Sequence, residues 1–271
     1  MFFAIKNIIN KLPSYISQAK SSTFSKQRKS SLNLGSTEFL TQRLLFSFSK
    51  MDNQQNQDIK NNQYSQPKRL GERDAFVGKW LKMKYIDFEI RGKKIENYES
   101  IERTTRIKNT PYDGVATFAI IKKDNQPSKL IIIANYRAPV DKFVLEIPAG
   151  LMDTPDLVQN AIRELKEETG YTAEEQPLKV SNKESPPTYT DPWRSCSCTK
   201  SVFLEVNGNK QENINPKQDL EDAESIFVHL IDIDENITDT LTTLAEKHGY
   251  IISSTLWCFA QGIQFAKTFQ V

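Results

Sequence analysis

Glu146-Ile147-Pro148-Ala149-Gly150-Leu151-Met152, followed by Arg163-Glu164-Leu165-Lys166-Glu167-Glu168-Thr169-Gly170-Tyr171, decides the reading of this chain. An apolar strand end meets a glycine turn, and a helix with three glutamates in five residues follows. Glu164 and Glu168 are i,i+4 neighbours of like charge, which costs a helix roughly 0.2–0.5 kcal/mol unless a cation lies between them. Carboxylate-rich, all-oxygen sites suit Mg²⁺ or Mn²⁺. The simplest reason to keep such a cluster is a divalent ion used on a phosphate substrate.

Outward from this stretch, the spacing predicts a helix over 155–168, with Thr154 as N-cap and Pro155 in the first turn. Leu157, Ala161, Ile162 and Leu165 form its apolar stripe, and Gly170 is its C-cap residue. Upstream, 80–90 and 98–107 read as the arms of a hairpin joined by the turn Arg91-Gly92-Lys93-Lys94. Buried strands are expected over 115–121, 130–136 and 143–147. Downstream, strands are expected at 178–180, 201–206 and 226–231, and helices over 237–248 and 251–267. One central helix among strands, with helices at the end, predicts an α+β fold: an α/β/α sandwich with a mixed sheet.

The 271 residues divide unevenly in charge. Residues 1–50 hold eight Lys/Arg and one acid, leaving 28 basic against 33 acidic residues in 51–271, a net of −5. The body is therefore mildly acidic, which argues against a nucleic-acid surface. The basic, Ser-rich leader 1–50, with Phe2, Phe3, Ile5, Ile8 and Ile9 beside Lys6 and Lys11, matches a mitochondrial transit peptide. A matrix location is expected, or a cytoplasmic one if translation starts at Met51. No run approaches the roughly 18–20 apolar residues of a membrane span. The Asn/Gln-rich segment 51–75 reads as a disordered linker, with order beginning near Phe76. An N-terminal hairpin sheet is expected over 76–110 and the main domain over 111–271. Cys196, Cys198 and Cys258 form no disulfide framework.

The segment 150–171 resembles the signature of Nudix hydrolases. Arg163 lies 13 residues after Gly150, one fewer than in that family, which leaves Asp153 and Asp156 competing for the early acidic position. Gly78-Lys79-Trp80, 98–106, Asp113-Gly114-Val115-Ala116, Tyr136-Arg137-Ala138-Pro139 and 146–151 resemble the ADP-ribose/ADP-sugar diphosphatase branch, in its order.

This resemblance implies Mg²⁺- or Mn²⁺-dependent hydrolysis of an ADP-sugar to AMP and a sugar phosphate. It implies metal ligation by Glu164, Glu168 and the carbonyl of Ala149, with Glu167 joining them or polarising a metal-bound water. Arg163 would hold Glu167. Arg137 would clamp the diphosphate, and the Leu151 N–H would meet a phosphate. Trp80 and Tyr98 would sandwich the adenine, Glu99 and Arg103 would read its edge, and Asp191 would meet the ribose. Glu221, Asp222 and Glu224 compete as general base, and Glu224 is chosen. The family places the N-terminal sheet across a homodimer with a shared active site. The competing readings are a Nudix hydrolase for NADH or an oxidised nucleotide, and a catalytically silent Nudix domain assembled into a mitochondrial complex.

Overall fold

The computed structural model describes residues 66–108, 110–180 and 185–270. The leader and most of the expected linker lie outside them. Regular structure nevertheless begins eight residues before Phe76, because Lys68–Val77 (β1) pairs antiparallel with Leu81–Ile90 (β2). Lys93–Arg103 (β3) completes a three-stranded sheet. The β2–β3 turn is only two residues, Arg91 and Gly92, both left-handed at φ 53° and 69°. That backbone twist matches the flanking strands, and glycine adopts it freely. On one face Lys84 bridges Glu72 at 2.8 Å and Glu102 at 2.5 Å, one acid from each neighbouring strand.

The second sheet is mixed. Gly114–Lys122 (β4), Lys129–Arg137 (β5), Lys142–Glu146 (β6) and Ala149–Leu151 (β7) come before the helix, and Thr188–Tyr189 (β8), Cys198–Asn207 (β9), Ile226–Asp232 (β10) and Ile251–Ile252 (β11) after it. The path is β11-β6-β5-β4-β9-β8, with β10 on the other edge of β5 and β7 beside β4. β4 runs parallel to β9, and β6 to β11; the remaining pairs are antiparallel.

Helices cover both faces, as the apolar run Leu130-Ile131-Ile132-Ile133 demands; all four are fully buried. On one side Leu157–Thr169 (α1) sets Ala161 and Leu165 against Val115, Ala119, Ile131 and Leu204. On the other, Ile237–His248 (α2) and Ser254–Phe269 (α3) set Ile237, Leu241, Leu256 and Ala260 against Phe118, Leu130, Ile132 and Leu145. Strand residues alternate between these two clusters, the period-two signature of a sheet in the middle layer. The expected α/β/α sandwich with a mixed sheet and a preceding antiparallel sheet is thus the observed fold. Among the described residues no helix is long and apolar enough to cross a membrane.

Three local expectations are corrected. The helix begins at Leu157, and its N-cap is Asp156, whose carboxylate accepts from the N–H groups of Val158 (3.0 Å) and Gln159 (3.1 Å). The Thr154 hydroxyl instead accepts from the Asn160 side-chain amide at 2.8 Å. The expected strand at 178–180 is absent: Leu178 donates one backbone bond to Phe203, and Val180 is exposed. The last helix starts at Ser254, capped by Ser253, because Ile251 and Ile252 pair with β6 first.

Candidate active site

Helix α1 and strand β7 bring the acids to the glycine turn. The Ala149 N–H donates to Glu168 Oε2 at 3.0 Å. The Glu164 carboxylate fills the space where a side chain on Gly150 would stand: a Cβ there would lie 1.8 Å from its Cδ. Gly114 serves the same turn from β4, since a Cβ on it would lie 2.4 Å from the Gly150 carbonyl oxygen. Glycine at both positions lets β7 close onto β4 and lets a carboxylate close onto β7.

Arg163 ties the group together. Its guanidinium reaches Asp153 Oδ2 (2.8 Å), Glu164 Oε1 (2.7 Å), Glu167 Oε2 (2.7 Å) and the Leu151 carbonyl (3.1 Å). The two candidate early acids therefore separate: Asp153 pairs with Arg163, and Asp156 caps the helix. Among the described residues no three His, Cys, Asp or Glu side chains form a ready-made metal cage.

The donor set nonetheless fits a hard divalent cation. Burial pushes the Glu168 carboxyl up to about 8, the Ala149 N–H opposing this and Glu164 adding to it. Burial likewise lifts Glu164 to about 7 against the pull of Arg163. Two mutually repelling carboxylates, Glu168 buried and Glu164 half-buried, are what a divalent ion neutralises.

This gives a pH signature in the metal-free protein. Both carboxyls have folded values above the ordinary value of 4.5, so the native state holds protons that the unfolded chain releases, and stability falls as pH rises through about 7 and 8. His229, which burial holds below 6.5, acts in the opposite sense only at lower pH. With a chelator present, the midpoint of thermal unfolding is expected to fall as pH rises from about 6.5 to 8 and to level off above that, and added Mg²⁺ to restore it; a midpoint independent of pH would contradict the site.

A cavity of about 620 Å³ opens from the turn. Ala149, Gly150, Leu151, Arg163 and Glu164 line one wall, with Arg137 at the end of β5. Arg137 places Nε and Nη2 at 3.0 and 2.6 Å from one Glu146 oxygen, so an arriving anion competes with that carboxylate. Trp80, in the turn between β1 and β2, and Arg103, at the end of β3, line the same cavity. Tyr98, Glu99, Asp191, Glu167 and Glu168 do not. The Tyr98 hydroxyl donates to the Trp193 carbonyl, and Asp191 pairs with Arg194.

The acidic loop also reaches the cavity. Gly170 (φ 78°) brings the end of α1 against the backbone of Lys217, and the Gln218 amide donates to the Glu168 carbonyl at 2.6 Å. Glu221 and Glu224 consequently line the cavity; Asp222 does not. Sequence reasoning passed over Thr105, Thr188, Thr190 and Thr199, which line it too. Isolated threonines carry no spacing signal, and only the fold gathers them.

The NUDIX domain family model matches residues 113–253. Putative nudix hydrolase 2 of Caenorhabditis elegans is 33% identical over 190 residues, spanning 70% of this chain and 82% of its own length. The ADP-ribose pyrophosphatase of Saccharomyces cerevisiae is 32% identical over 195 residues (71% and 80%). The ADP-sugar pyrophosphatase of Mus musculus is 29% identical over 201 residues (72% and 87%). With a family match over more than half of its length, this chain belongs to the Nudix hydrolase family.

Proposed function

We propose that this protein hydrolyses the diphosphate bond of ADP-ribose and related ADP-sugars with Mg²⁺ or Mn²⁺, releasing AMP and a sugar phosphate. One observation carries the reading: a single cavity joins the carboxylate-lined turn, Arg137, and the Trp80–Arg103 wall. A ligand with a flat base and two phosphates meets a matching group at each station. The names of the yeast and mouse relatives support the same substrate class.

Glu164, Glu168 and the Ala149 carbonyl would hold a divalent ion, which would neutralise charge on the diphosphate and lower the pKa of a water molecule. The chain's own residues do the rest. Trp80 offers a π face to the adenine, and Arg103 offers donors beside it. Arg137 exchanges Glu146 for phosphate oxygens, which orients the diphosphate. Arg163 keeps Glu164 and Glu167 in fixed rotamers. Glu224, whose carboxylate accepts the Glu221 N–H at 3.0 Å, is held where it can take a proton from water.

Tyr98 and Glu99 lie outside the cavity of their own chain, while Phe76, Val77, Leu81, Ile95 and Ile101 of the N-terminal sheet and its turns are exposed. We infer that a second copy covers this sheet and receives Tyr98 and Glu99 at its own site. Light scattering on the purified chain is expected to give a dimer.

The full chain incubated with ADP-ribose and Mg²⁺ is expected to release AMP and ribose 5-phosphate in equal amounts, faster than it acts on NADH at equal concentration. A higher kcat/KM for NADH or an oxidised nucleotide would assign the site to that class instead.

A further inference from the structure

Among the described residues only two carboxylates are buried, Glu168 and Asp113. Glu168 belongs to the reaction. Asp113, 5% exposed, has no part in it, yet it lies at the cavity wall and its bonds tie separate segments around that wall together.

Arg106 donates Nε to Asp113 Oδ1 at 2.8 Å and Nη2 to Oδ2 at 2.7 Å, and the same Nη2 reaches the Cys196 carbonyl at 2.8 Å. The Cys198 N–H donates to Asp113 Oδ2 at 2.9 Å. Along the backbone, the Asp113 N–H donates to the Cys198 carbonyl (2.8 Å), and the Asp113 carbonyl accepts from Met152 (3.0 Å). Asp113 thus locks the start of β4 to the start of β9 and to the residue after β7. Burial alone would push its carboxyl up, but Arg106 and the Cys198 N–H hold it below the usual range, so it stays ionised.

Arg106 carries the lock to the other wall. Two residues earlier, Thr104 donates its N–H to the Trp80 carbonyl (3.1 Å) and its hydroxyl to the Lys79 carbonyl (2.7 Å). Arg103, beside it, faces the cavity. A continuous path therefore runs from Trp80 through Thr104, Arg106 and Asp113 to Met152, and into the Ala149–Leu151 strand that receives Glu164 and Glu168. The Arg106–Asp113 fork is the side-chain link in that path.

We propose that Asp113 and Arg106 are positioning residues that fix the base-side wall of the cavity relative to its diphosphate-side turn. The inference rests on the ADP-sugar reading of the site. Neither residue touches the reacting bond; their effect is on the distance between the station that holds the base and the one where the bond breaks. Misplacement of that kind, on the order of 1 Å, is enough to cost roughly a hundredfold in rate.

The test uses the full chain with Arg106→Gln, Arg106→Lys and Asp113→Asn, assayed with ADP-ribose and saturating Mg²⁺ well below each variant's unfolding midpoint. AMP affinity is measured by calorimetry alongside. Arg106→Gln and Asp113→Asn are expected to lose at least tenfold in kcat/KM, with KM raised, kcat lowered and AMP binding weakened together. Arg106→Lys keeps the charge without the fork and is expected to fall between them and the parent chain. If Arg106→Gln fails to fold, the intermediate behaviour of Arg106→Lys still decides. Lowered unfolding midpoints with kcat, KM and AMP affinity unchanged would overturn the proposal and leave the pair a purely structural bridge. A parent chain that binds AMP but does not cleave ADP-ribose would count against the substrate reading instead.

Discussion

Glu168→Gln is expected to leave the protein folded and to abolish turnover. The side chain is 2% exposed, and its carboxyl is raised to about 8, chiefly by burial. At neutral pH the metal-free protein therefore already holds much of this group in its neutral form, and a neutral amide of the same shape is a small perturbation to the fold. Gln retains an oxygen that can accept the Ala149 N–H. What it cannot supply is a charged oxygen ligand for a divalent ion. Losing that ligand is expected to cost about 4 kcal/mol in the transition state, roughly a thousandfold in kcat. Single-turnover kinetics and an unfolding curve in chelator, taken together, check both halves. A variant within tenfold of the parent kcat would remove Glu168 from the site. The same substitution is expected to weaken the decline of metal-free stability up to about pH 8, because one of the two raised carboxyls is gone.

The parts of the site that were legible in the sequence are those that sit close together along the chain. Gly150, Arg163, Glu164 and Glu168 are joined by one turn and one helix, so residue spacing alone places them on neighbouring surfaces. Helix α2 was read at its observed bounds for a similar reason: a regular apolar stripe ends at Gly249, which caps it in the left-handed region. Strand β1 was missed because all ten of its residues are exposed, so it has no buried face to create an alternating pattern. Its pairing with β2 is set by the neighbouring strand instead. The start of α1 was misjudged because Thr154 and Asp156 are both good caps, and Pro155 favours the first of them. The choice falls to Asp156 because Asn160, whose amide donates to the Thr154 carbonyl and hydroxyl, draws that residue into the preceding loop. The Arg106–Asp113 pair was beyond reach altogether. Arg and Asp seven residues apart across a loop have no fixed geometry until β4, β7 and β9 assemble around them.

Gly150→Ala separates function from folding more sharply than any change to the acids. A Cβ at this position would stand 2.1 Å from both oxygens of Glu164. Gly150 is not in the left-handed region, so alanine adds no backbone strain. The atoms in its way are the far end of a flexible side chain, so the carboxylate swings aside and β7 keeps its register with β4. The expected change in stability is therefore within about 1 kcal/mol. Displacing that carboxylate by more than an ångström, however, is expected to lower kcat roughly a hundredfold or more and to raise the Mg²⁺ concentration needed for half-maximal activity. Gly114→Ala is the contrast. Its Cβ meets the backbone carbonyl of Gly150 at 2.4 Å, which cannot rotate away, so stability and activity should fall together. Unfolding midpoints and Mg²⁺ titrations of the two variants side by side make the comparison. If Gly150→Ala kept the parent kcat and Mg²⁺ requirement, the Glu164 carboxylate would not need to lie against this turn for the reaction, and the metal site would have to be built around Glu167 and Glu168 instead.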